Sequence, residues 1–121
     1  MTVISTVITG RYTAHASDSF LTELQSDGSH TIIEKQQTKI VRVPQFRGAL
    51  AYWGLARYGK SWSTLDWLKE RANDAVNYEC SEQFARDLAL RLNSTLSVLK
   101  FKNPLDKGVG IHFTAYEQIS D

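Results

Sequence analysis

Thr2 is the second residue of the chain, and removal of Met1 would leave a threonine bearing both a hydroxyl and a free α-amine. Such a residue holds a nucleophile and a base in one unit: the oxygen attacks while the amine takes its proton. Met1 is usually cleaved before a side chain as small as threonine, so a free Thr2 is expected with or without chemistry to follow. The other residues capable of chemistry are dispersed. His15, His30 and His112 lack metal-ligand spacing and read as structural or solvent-facing. Cys80 precedes a helix start, where a thiol pKa can fall, but no histidine motif accompanies it, so it reads as a small apolar filler. Gly108-Val109-Gly110 lacks the Lys-Ser/Thr ending of a phosphate loop. Asp18 and Lys39, taken singly, read as a surface pair worth little or as two unrelated solvated residues.

The elements that must position Thr2 begin with Thr2 itself. Val, Ile and Thr dominate residues 2–9, and their branched side chains suit a pleated strand. Gly10-Arg11 is read as the turn into a second strand at 12–19, with Gly10 supplying the turn conformation. Asp27-Gly28-Ser29 is a turn signal, and strands are expected at 30–35 and 39–43, the latter closed by Pro44. The apolar run 48–56 predicts a strand buried on both sides. The period then changes from 2 to about 3.6. Ser63 is the expected N-cap of a helix over 63–73, on which Leu65, Leu68 and Ala72 share a face. A second helix, 81–99, carries a stripe of Ala85, Leu88, Ala89, Leu92, Leu96 and Leu99. Val109, Ile111, Phe113 and Ala115 alternate with Gly110, His112, Thr114 and Tyr116 in a closing strand. It either pairs with the earlier sheet or starts a second sheet that is cut off, and truncation is the expectation. Trp53, Trp62, Trp67, Tyr52 and Tyr58 cluster at the strand-to-helix junction as core or subunit contacts.

The order of strands, a helix pair and a strand predicts an α+β fold, a sheet covered by an antiparallel helix pair, in a single domain over residues 1–121. A length of 121 residues with 42% hydrophobic and 22% charged residues fits one globular unit. A net charge of +1 with no basic run gives no footprint for nucleic acid or an anionic membrane surface. One cysteine excludes an internal disulfide framework and a four-cysteine metal site. With no apolar run of spanning length and no signal-peptide pattern, a cytoplasmic location is expected.

Thr2, Asp18 followed by Ser19, Lys39 opening Ile-Val-Arg-Val, and Gly48-Ala49-Leu50-Ala51 leading to the helix pair stand in a telling order. Together they resemble the N-terminal half of proteasome β-type subunits and their bacterial relatives, the N-terminal-nucleophile (Ntn) hydrolases. The resemblance covers essentially the whole chain, while the family's αββα sandwich continues into a second sheet and closing helices beyond Asp121. It implies a threonine peptidase acting on peptide or protein substrates, without a metal or other cofactor, assembled as a homo-oligomeric ring. Thr2 would be the nucleophile. Lys39 would be a fixed positive charge beside it, lowering the pKa of amine and hydroxyl. Asp18 would hold Lys39 charged and oriented. Lys35 is a rival for the lysine role, set behind Lys39 because Lys39 directly precedes the strand. Gly54 would give the oxyanion N–H. The chain departs from the family in having Tyr52 where a glycine is expected, with Gly54 two residues late. It also lengthens the 57–62 segment and the interval between Asp18 and Lys39. A non-catalytic structural or interaction subunit is the competing expectation, and a small-molecule amidase on the same scaffold a third.

Overall fold

The computed structural model describes residues 4–19, 21–24, 27, 29–99 and 108–117. Strands β1 (Ile4–Ile8) and β2 (Thr13–Ser17) form an antiparallel hairpin, with Ile4 opposite Ser17 and Ile8 opposite Thr13. Strand β2 is shorter than the expected 12–19, and β1 ends one residue before the expected 9; Thr2 and Val3 lie outside the described residues. The turn is also built differently. Thr9 Oγ1 accepts hydrogen bonds from the N–H groups of Arg11 and Tyr12, at 3.1 and 2.9 Å. Gly10 does not adopt a positive φ. The hydroxyl of Thr9, and not a glycine conformation, closes this turn.

A second hairpin joins β3 (Leu21–Leu24) to β4 (His30–Glu34), with a register shift between Leu21 and Thr22. Its connection includes Asp27, whose Oδ1 accepts from the Ser29 N–H at 2.9 Å, an Asx-type turn. No strand was expected over 21–24; its partner across the turn makes it one.

The chain then enters β5 (Ile40–Val43), a 3₁₀ turn (Pro44–Phe46) and β6 (Gly48–Gly54). Strand β6 is the middle of a three-stranded antiparallel sheet, between β5 and the last strand, Val109–Thr114. That last strand therefore has its neighbour within the earlier sheet and does not start a separate one. Burial on both sides of β6 holds only at Leu50, Ala51 and Tyr52; Trp53 and Gly54 are exposed. The segment read as an insertion is a small hairpin of β7 (Arg57–Tyr58) and β8 (Trp62–Ser63).

Helix α1 (Thr64–Asp74) starts where its cap predicts: Ser63 Oγ accepts from the Asp66 N–H at 3.3 Å. Helix α2 spans Ser81–Ser97. It buries Phe84, Leu88 and Leu92 and leaves Ala89 exposed, so its apolar stripe is rotated from the expected one and begins with an aromatic ring. The closing strand, β9 (Val109–Thr114), completes the order.

Period-two alternation divides the three-stranded sheet into two faces. Val41, Val43, Leu50, Tyr52, Ile111 and Phe113 meet Leu68 and Ala72 of α1 and Phe84 and Leu88 of α2 in one core. The other face carries His112 and Thr114, which reach the β1–β2 hairpin through Thr6, Thr13 and His15. Among the described residues the chain is thus α+β, with two helices and small antiparallel sheets. No helix among them is long and apolar enough to cross a membrane.

Candidate active site

Lys39 lies one residue before β5 and extends its ladder, because its carbonyl accepts from the Tyr52 N–H at 3.1 Å. Position 39 is in phase with Val41 and Val43, so its side chain is carried to the interior side. Lysine is rarely interior unless its charge is met. Here the side chain is 2% exposed and Nζ donates to Asp18 Oδ1 at 2.8 Å. Asp18 follows β2 directly and is one of the partners of Lys39, its own side chain being 30% exposed.

Neighbouring bonds fix the two segments that carry this pair. The Gln37 N–H donates to the Ser19 carbonyl at 2.7 Å, and Ser19 Oγ donates to the Lys35 carbonyl at 2.7 Å. Gln37 is buried, and its Nε2 donates to Tyr52 Oη at 3.3 Å. Arg57 donates to Gln37 Oε1 at 3.2 Å and to Glu34 Oε2 at 2.9 Å. Burial pushes the Tyr52 phenol above its ordinary pKa, against the smaller pull of the Gln37 amide. A cavity of about 290 Å³ opens here, lined by Ser17, Asp18, Ser19, Gln37 and Lys39 among others.

Asp18 and Lys39 are brought together, and Lys35, an exposed residue, is not the partner of Asp18. Thr2 lies outside the described residues. Gly54 ends β6 with φ +92°, and a Cβ there would stand 2.1 Å from the Gly108 carbonyl oxygen, so glycine is required for that close approach. It does not line the cavity. The N–H of Tyr52, at the place where a family glycine was expected, is committed to the Lys39 carbonyl. Gln37 falls between the strands expected at 30–35 and 39–43, and nothing local in the sequence marks its burial. The aromatic cluster divides: Tyr52 is core, Trp62 and Trp67 pack at 5.8 Å, and Trp53 is exposed.

The histidines form a separate polar seam between hairpin and sheet. Thr6 Oγ1 lies 3.1 Å from His15 Nδ1 and 3.2 Å from His112 Nδ1, while His15 Nε2 is 2.7 Å from Thr114 Oγ1. The His15 pKa is held below its ordinary value, first by burial and then by the charge of His112; Arg42 and Arg47 line the same cavity as His15. The folded chain binds this proton more weakly than the unfolded chain, whose value is near 6.5. Stability is therefore full above that pH and falls as pH drops through it toward the lower folded value. Melting temperatures measured from pH 7.5 down to about 5, above the carboxylate range, should decrease. His15→Asn should flatten the dependence.

Among the described residues no three His, Cys, Asp or Glu side chains come together as a metal site. No family model, curated protein or solved structure matches the chain.

Proposed function

We propose that the chain is a threonine-type peptidase of the proteasome-like, N-terminal-nucleophile kind, with Thr2 as nucleophile after removal of Met1. The observation that carries this is the buried Lys39 ammonium, 2.8 Å from Asp18, in the family's order of threonine, aspartate and lysine. The hairpin register supports it, since Ile4, two residues after Thr2, pairs with Ser17, the residue before Asp18. Thr2 Oγ forms a bond to the carbonyl carbon of a peptide or amide as the α-amine takes the hydroxyl proton. Collapse of the tetrahedral adduct breaks the C–N bond, and the leaving amine receives that proton. Water then hydrolyses the ester and restores Thr2. Lys39 keeps positive potential at the attacking group, and Asp18 keeps Lys39 in place. Gly54, two residues along β6 from Tyr52 and outside the lining of the Asp18–Lys39 cavity, is the oxyanion donor that the proposal carries. The αββα sandwich, a ring of identical copies and peptide or protein substrates belong to the same proposal.

A non-catalytic structural or interaction subunit is the second reading, favoured by one feature: the Tyr52 N–H is already spent on the Lys39 carbonyl. A β-lactone or epoxyketone directed at N-terminal threonine distinguishes the two. Intact-mass analysis should show Met1 absent and one adduct on the wild-type chain, none on Thr2→Ala, and retained labelling on Thr2→Ser. Equal labelling of wild type and Thr2→Ala, or quantitative retention of Met1, would overturn the peptidase.

A further inference from the structure

The second cavity, of about 490 Å³, is lined by Thr13 and His15 of β2, by Arg42 of β5 and by Arg47. Arg42 alternates with the core residues Val41 and Val43, which places its side chain on the sheet face that meets the hairpin. Arg47 arrives by a less common route. It follows the 3₁₀ turn with φ 50° and ψ 40°, the left-handed region where residues other than glycine, asparagine and aspartate are disfavoured. A glycine would close this turn with less strain, but it would bring no guanidinium to the cavity.

The charge there is unbalanced. Arg57, Arg71, Arg86 and Arg91 each have a carboxylate oxygen between 2.7 and 3.8 Å away, whereas Arg11, at the exposed turn of the first hairpin, has none among the described residues. Among the described residues Arg42 and Arg47 have none in ion-pair range, and no aspartate or glutamate lines the cavity. Both residues are exposed, and two positive charges on one concavity give it a potential that attracts an anion. Guanidinium forks match the paired oxygens of phosphate and carboxylate groups. Thr13 Oγ1 accepts from Thr114 Oγ1 at 3.2 Å, which leaves its own O–H to donate.

We propose that this cavity binds the oxyanion group of a small ligand, a phosphate or a carboxylate, clamped between Arg42 and Arg47. The site stands whether or not Thr2 is a nucleophile, and its test does not pass through activity. The whole chain is titrated with inorganic phosphate and, separately, with acetate at constant ionic strength, while the arginine Nε–H signals are followed by NMR. Saturable shifts at Arg42 and Arg47 are expected. Tighter binding of phosphate identifies a phosphoryl-bearing ligand; equal or tighter binding of acetate identifies a carboxylate. Arg42→Gln and Arg47→Gly should each weaken binding at least about tenfold, as loss of one charge-assisted clamp implies. Arg47→Gly should also melt at a higher temperature than wild type, because glycine relieves the left-handed backbone. Binding lost from a chain that melts higher is not lost by unfolding. The proposal is overturned if both anions shift the signals no more than chloride does, or if a folded Arg47→Gly variant binds as wild type.

Discussion

Asp18→Asn should lower the melting temperature by on the order of 10 °C, while Lys39→Met should leave it nearly unchanged. The two changes break the same 2.8 Å pair from opposite ends. Asparagine keeps the shape of Asp18 but removes the negative charge, leaving an ammonium that is 2% exposed facing a neutral amide. Removing one charged partner of a buried ion pair costs roughly 3 kcal/mol or more. Methionine removes the interior charge itself and keeps an unbranched stem of similar length. The carboxylate it leaves behind has a side chain 30% exposed, and water can hydrate it. Function should not follow stability in this pair. If the proposed mechanism holds, both variants should lose labelling by the threonine-directed electrophile, by roughly 100-fold or more, because Asp18 would act through Lys39 and Lys39 through its charge. Thermal melts and labelling rates on one set of proteins decide it. A Lys39→Met chain labelled at the wild-type rate would remove lysine from the mechanism.

On sequence, Lys39 is set ahead of Lys35 because it directly precedes a strand, a local signal; the structure adds the geometry. Position 39 shares the strand phase of Val41 and Val43, whereas Lys35 follows β4 and stays exposed. Helix α1 was legible for the same kind of reason: Ser63 caps it, and Leu68 and Ala72 fall on one face. Where the structure departs from the sequence pattern, the cause is non-local. Leu21–Leu24 has no clean alternation, and pairing with His30–Glu34 makes it a strand. The partner of β9 is β6, Thr114 lying opposite Ala49, a register that no short window of sequence encodes. The burial of Gln37 depends on Tyr52 and Arg57, which come from other segments. Gly10 was a misreading of composition. A glycine beside a turn need not supply its conformation when a threonine hydroxyl one residue earlier can bond the next backbone N–H groups.

The same contrast gives the second large effect, at a residue outside the expected helix stripe. Phe84→Ala should destabilise the chain by about 3–5 kcal/mol, read as a shifted urea midpoint at constant slope. Phe84 is 2% exposed, and its ring centroid lies 5.7 Å from that of Phe46, 5.5 Å from Tyr78 and 5.2 Å from Phe113. Those three rings belong to the turn after β5, the segment before α2 and strand β9. One side chain therefore ties α2 to both edge strands of the sheet through its neighbours. Three aromatic partners cannot collapse together into the space left by one ring, so most of the cavity should persist. Phe84→Leu, which retains much of the volume, should cost far less, and Leu90→Ala, at a residue 67% exposed, almost nothing. Phe84→Ala combined with Phe113→Ala should cost less than the two separate losses added together, since both remove the same edge contact. A Phe84→Ala cost below about 1 kcal/mol would mean that α2 is not docked on the sheet in solution.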